Sequence, residues 1–244
     1  MDFLKFTQQY KDEVIQKTQE IVSIPSVEGE GQPGMPMGPD VHKALIYTLD
    51  LCKELGFTTK NVDGYAGWAE YGTGEEMVGI LCHLDVVPAG EGWTKPPFGH
   101  TIEGDRIYGR GTSDNKGPTI SAIYALKAVM DAGIPLKRRV RLIFGTNEES
   151  GWRGINYYSK HEEKPTMAFV PDASYPVINV EKGIIHVILN HGAESDAVGS
   201  QGNALKVLRL EGGHRANMIP RICICELSGD EADLQKAAAI AKSF

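Results

Sequence analysis

Apolar positions at Phe3, Phe6, Tyr10, Val14, Ile15, Ile21 and Val22, with Thr18 in register, recur at intervals of three and four and predict one helix over residues 3–23. Pro25 ends it, and residues 25–39 carry so many Gly and Pro that only a loop suits them. A second helix runs from Asp40 to Leu55 and stops at Gly56. Two short β-like runs follow at 57–62 and 68–71, and the apolar stretch 77–82 predicts a strand buried on both faces. Residues 101–109 alternate like a hairpin around Gly104 and Asp105, and 116–132 return to helical spacing until Gly133 and Pro135. Another strand is predicted at 139–144, a helix beginning near Trp152, and one more buried run at 166–170, closed by Pro171.

Beyond Gly183 the texture changes. Alternating runs at 184–189, 205–210 and 222–227 precede a helix from about Asp230 that reaches Phe244 with no returning strand to shield it. The pattern predicts an α/β domain over 1–182, with a mixed sheet between helices, and an unfinished α+β unit over 183–244.

Composition narrows the partners. The chain has 244 residues, 41% hydrophobic and 23% charged, so it can build a real core. A net charge of -7 with pI near 5.5 argues against nucleic-acid or membrane surfaces, which are polyanionic and call for basic patches. A small-molecule partner fits better. Cys52, Cys82, Cys223 and Cys225 form no C-x-x-C pair, which predicts four buried thiols rather than disulfides or a thiolate zinc site. With no apolar leader or membrane-length run, the expected location is cytoplasmic. The basic run 137–141 reads as a solvated sheet edge, and His42, His100 and His161 as surface or satisfied imidazoles.

The chemistry gathers where strands end. His83, Asp85, Asp114, Glu148, Glu149 and Asp172 each follow an apolar or β-like run, and open α/β sheets collect their sites at the carboxyl ends of strands. Residues two apart on a strand face one way, so the Asp85 carboxylate can accept from the free N–H of His83 and fix its tautomer for a metal. Asp114 opens a helix after a glycine-marked loop, where it either caps the helix or bridges two cations ~3.5–4 Å apart. Glu148 and Glu149 are either a solvated acidic pair or a pair crowded at a rim and neutralised by cations, one ligating while the other moves a proton. Asp172 either supplies another hard oxygen or serves a turn. Together these elements point to a hydrolytic centre with two metals.

The strings from His83 to Pro88, Gly109 to Gly117, Thr146 to Ser150 and Pro171-Asp172 resemble the co-catalytic zinc exopeptidases that include aminoacylase, acetylornithine deacetylase and carnosinase. The stretches 93–98 and 180–183 look most like the bacterial dipeptidase V branch. The resemblance implies a zinc-exopeptidase-like (phosphorylase/hydrolase-like) α/β fold carrying the start of a lid domain, and hydrolysis of dipeptides with an unblocked N-terminus. It implies that His83 and Asp172 bind one metal, that Glu149 binds the other, and that Asp114 bridges them through a peptide bond held in cis. Asp85 would orient His83, and Glu148 would be the general base. Zinc is the implied metal, although one imidazole with carboxylates also suits manganese or cobalt. Residues 212–220 resemble the lid's opening strand and loop, where Asn217 either contacts substrate or satisfies its own loop.

The sequence departs from that pattern at its end. Members are nearly twice as long, and the lid's remainder, the returning catalytic segment and a last metal-ligating His are missing, with His186, His191 and His214 lacking the flanks to replace it. The expectation is therefore that this chain alone is inactive or nearly so. The alternatives kept open are an N-acyl amino acid deacylase, and a non-catalytic metal-binding piece of a truncated or split enzyme that waits for a second chain.

Overall fold

The computed structural model describes residues 3–174, 178–180, 182–183, 185, 187–188, 205–213 and 221–243. The described chain divides into two units, Met1–Asn179 and Val180–Phe244.

The first unit is a five-stranded mixed sheet in the order β1-β2-β6-β3-β7. Its strands are β1 (Thr58–Val62), β2 (Ala66–Tyr71), β3 (Met77–His83), β6 (Arg139–Gly145) and β7 (Met167–Phe169), while β4 (Thr101–Glu103) and β5 (Arg106–Tyr108) form a separate hairpin. Strands β1, β2 and β6 run antiparallel in turn, whereas β3 lies parallel to both β6 and β7. The helices are α1 (Phe3–Gln8), α2 (Lys11–Val22), α3 (Pro39–Glu54), α4 (Lys116–Asp131) and α5 (Arg153–His161).

Alternation along β6 separates two cores, because successive side chains leave opposite faces of a strand. Leu142 and Phe144 join Ile21, Leu45, Leu49, Ile80, Ile120 and Ile123 in the larger core, with α2, α3 and α4. Ile143 points the other way, to Val62, Trp68 and Tyr158 of α5. The sheet therefore lies between helices, as the pattern predicts, and each fully buried Leu, Ile or Phe stabilises it by about 1.5–3 kcal/mol relative to exposure. Pro39 opens α3 at a position where its missing N–H costs nothing, and Gly56, with φ +93°, takes the left-handed conformation that closes it.

Five expectations need correction. The predicted helix over 3–23 breaks at Gln9 and Tyr10, where the Tyr10 backbone leaves helical values (φ -96°, ψ 4°) so that its ring is buried beside Tyr124, 5.4 Å away. The run 166–170 is exposed rather than buried, because among the described residues β7 is an edge strand paired with β3 alone, leaving Met167, Phe169 and Val170 each 54% accessible. Cys52 and Cys82 are buried thiols, but Cys223 and Cys225 lie exposed on a two-stranded ribbon. The basic run is no solvated edge, since β6 is central and Arg141 is buried. Its guanidinium stacks 4.2 Å from the Trp68 ring centroid and binds Glu70 and the Tyr158 hydroxyl. His42 is not fully satisfied, for its buried Nδ1 has no hydrogen-bond partner among the described residues.

Among the described residues, the second unit holds an antiparallel ribbon, β8 (Lys206–Gly212) with β9 (Cys223–Ser228), and α6 (Glu231–Ala241), whose first turn is capped by Asp230 accepting from the Asp233 N–H at 3.0 Å. None of its described residues is buried. Of the predicted strand at 184–189, residues 184, 186 and 189 lie outside the described residues, and 185, 187 and 188 are in no strand.

Candidate metal centre

Parallel pairing brings the chemistry together. His83 ends β3 opposite Gly145, the last residue of β6, so both strands release their chains at the same rim. From β6 the chain passes through Thr146 and Asn147 to Glu148 and Glu149, and the parallel β7 leads through Pro171 to Asp172. Asp114 arrives differently, from the turn after the β4–β5 hairpin, across a cis Asp114–Asn115 peptide bond. That turn is packed so closely that a Cβ on Gly117 would stand 2.1 Å from the Thr112 carbonyl oxygen, which explains glycine there.

His83 is the hub. Its Nε2 lies 2.9 Å from Oδ1 of Asp114, 3.3 Å from Oδ2 of Asp172 and 4.0 Å from Oε2 of Glu148. Its Nδ1 is 2.9 Å from the backbone carbonyl of Asp85, while the Asp85 carboxylate is farther away, at 3.5 Å. The strand has ended by Asp85, and the carboxylate instead accepts the backbone N–H groups of Glu148 and Glu149, each at 3.0 Å. Asp85 thus holds the turn after β6 in place, and its carbonyl is the nearer of its two contacts with the imidazole, its carboxylate the farther. A ring N–H given to that carbonyl turns the Nε2 lone pair toward the rim.

The electrostatics record a surplus of negative charge. Burial disfavours the His83 imidazolium, but hydrogen bonding to Asp114, Asp172 and Asp85 outweighs it and raises the His83 pKa. The same contact with His83 holds the Asp114 carboxyl below its ordinary value. Glu148 is raised by burial and by the charges of Asp85, Asp172 and Asp114, with His83 opposing. Glu149 is pushed up to about 7, by burial first and then by Asp114, with smaller contributions from Asp85 and Glu148 and with His83 again opposing.

Two trios of ligand atoms, His83 with Asp114 and Glu149, and His83 with Glu148 and Asp172, each lie within 4.8 Å of one another. One imidazole among crowded carboxylates is a hard, anionic donor set, so the residues fit divalent cations. The trios cut across the ligand division implied by resemblance, because Glu148 stands in one of them. Asn217, His186, His191 and His214 lie outside the described residues.

Two residues that the sequence reading passed over complete the site. Asn115 is fully buried and bonds to the segments carrying His83 and Asp172. Lys116 is also fully buried; its Nζ donates to the Ile24 carbonyl at 2.6 Å, and burial lowers its pKa to about 7. Both stand in the glycine-marked string before α4, but no local pattern distinguishes a buried amide or amine from a solvated one.

Comparisons with known proteins place the chain in a family. The family model described as "Peptidase family M20/M25/M40" matches residues 79–236. The Bacillus subtilis (strain 168) protein named "Putative dipeptidase YtjP" is 48% identical over 217 residues, covering 86% of this chain and 45% of that protein. Among solved structures, human carnosine dipeptidase 1 aligns with a TM-score of 0.59 at 24% identity, over 71% of this chain and 41% of that one. The M20 family metallo-carboxypeptidase Sso-CP2 from Sulfolobus solfataricus aligns with a TM-score of 0.54 at 26% identity, over 66% and 37%. The chain spans about half the length of the curated relatives it matches.

Proposed function

The chain belongs to peptidase family M20/M25/M40, and from that premise we propose that the whole protein is a metal-dependent dipeptidase. The observation that carries the reading is the convergence of His83, Asp114, Glu148, Glu149 and Asp172 at one rim, as two trios of ligand atoms. The name of the 48%-identical relative, a putative dipeptidase, supports dipeptides as the substrate class, and we take their N-terminus to be free.

His83 and Asp172 would hold one cation and Glu149 a second, with Asp114 between them. Zinc is favoured, and manganese or cobalt suits the same donors. When bound, such cations supply Lewis acidity toward a peptide carbonyl and toward water. Asp85 fixes the turn that carries both glutamates, and its carbonyl orients the His83 ring. Glu148, with its pKa raised by burial, is the group suited to take a proton from water at its carboxylate and return it to the departing amine. Residues 1–182 form the catalytic segment, 183–244 begin a lid, and Asn217 contacts substrate. Four free cysteines suit a reducing compartment, in keeping with a cytoplasmic protein, and no helix among the described residues is long and apolar enough to cross a membrane.

Glu148→Gln in the whole protein tests the reading. Hydrolysis of unblocked dipeptides should fall by about 10²–10⁴-fold while metal stoichiometry stays unchanged. Equal loss of metal and activity would make Glu148 a ligand instead. Preference for N-acetyl or N-succinyl amino acids over dipeptides would replace the substrate class.

A further inference from the structure

The side chain of Asn115 ties together parts of the rim that are remote in sequence. It is fully buried, and each of its polar atoms is engaged. Oδ1 accepts the backbone N–H of His83 at 3.2 Å, where β3 ends. It also lies 3.3 Å from the Thr119 hydroxyl, which reaches the Asn115 carbonyl at 2.8 Å. Nδ2 donates one hydrogen to the Pro171 carbonyl at 2.9 Å and the other to Oδ1 of Asp172 at 3.0 Å. The orientation of the amide is dictated by its partners, because a backbone N–H can only donate and a carbonyl can only accept. No side chain of similar size except asparagine offers two donors on one side and an acceptor on the other.

The consequence lies in Asp172. With Oδ1 occupied by the amide, Oδ2 is the oxygen directed at the rim, 3.3 Å from Nε2 of His83. We propose that Asn115 is a positioning residue for the metal centre, its amide selecting which Asp172 oxygen faces the cation while fixing the His83 backbone in register with it. The inference rests on the metal reading above and adds to it a residue that touches neither cation nor substrate. Such partners of ligands typically change metal affinity by about 10–100-fold when lost.

Asn115→Asp keeps the shape but sets a carboxylate against the Pro171 carbonyl and the Asp172 carboxylate, where no hydrogen is left to share. Titration of the purified chain with Zn²⁺ by calorimetry, well below the metal-free melting temperature, should show binding weakened by about 10–100-fold. Asn115→Ala, which adds no repulsion, should shift it in the same direction by less. In an Asp172→Ala background, Asn115→Asp should cause no further loss, because the oxygen it misdirects is gone. Weakened melting with unchanged Zn²⁺ affinity in both Asn115 variants would overturn the proposal and leave the amide a structural link only. If unsubstituted protein bound no Zn²⁺, or if Asp172→Ala bound it normally, the metal reading itself would fall, and this inference with it.

Discussion

The sheet of the first unit and the ribbon of the second are written in similar alternating apolar code, yet they meet different fates. In β6, Leu142, Ile143 and Phe144 are all buried, and they serve two cores on opposite faces. In β8 and β9, Val207, Leu208, Leu210 and Ile224 remain exposed, and α6 buries none of its residues among those described. Alternation specifies a strand, but what covers the strand is decided by segments elsewhere. In the first unit those are α2, α3, α4 and α5, while in the second the described residues provide none. The candidate chemistry follows the same division: every described member of the site stands on the unit whose strands have helices on both faces.

Substitutions can sharpen that contrast. The largest effect is expected from Phe144→Ala, which removes a fully buried ring from the larger core and should cost about 3–5 kcal/mol in urea denaturation. A transition left in place would mean that the core does not depend on β6. A smaller, pH-dependent effect is expected at Lys116. Its amine keeps a proton to about 10.5 when unfolded but to about 7 when folded. At this group the unfolded chain therefore binds more protons between those values, and its contribution to stability rises with pH across that interval. Melting temperatures of the natural protein and of Lys116→Met, each compared at pH 7 and 8, should show this as a difference in slope, because the raised pKa of His83 and the buried thiols act with the opposite sign in both proteins alike. The slope should be more positive in the natural protein than in Lys116→Met; an identical slope in both would show that Lys116 does not contribute it. The smallest effect is expected from Leu210→Ala, within about 0.5 kcal/mol either way, since that side chain is exposed. A cost comparable to that of Phe144→Ala would show the ribbon to be covered and would erase the contrast.

Much of the first unit was legible because its signals are local. Gly56 and Pro39 mark the limits of α3, period-two alternation marks β6, and the Gly104-Asp105 turn marks the small hairpin. The acidic and imidazole residues were legible as a set because each follows a strand or a glycine-marked turn. Pairing partners were not legible, and most corrections trace to that. Residues 166–170 have a core composition but sit at an edge; residues 137–141 have a surface composition, but the strand they enter is central. Arg141 is tolerated there because Glu70 and the Trp68 ring meet its charge, and neither is a sequence neighbour. The second role of the Asp85 carboxylate was not legible for the same reason, since the N–H groups it accepts belong to Glu148 and Glu149, on the far side of another strand. Asn115 and Lys116 were missed because burial of a polar group is a property of the assembled loops.

The strand order also bears on how the chain is made. Strands β2 and β3 are close neighbours in sequence, ending at Tyr71 and beginning at Met77, but β6 lies between them in space and is not complete until Gly145 has been synthesised. A nascent polypeptide emerging from the ribosome therefore presents two apolar segments that must not zip to each other while their shared neighbour is still to come. Non-local closure of this kind slows folding and lengthens exposure to aggregation. Translational pausing before codon 139, or a shortage of chaperone, is thus the circumstance in which yield of this protein should suffer most.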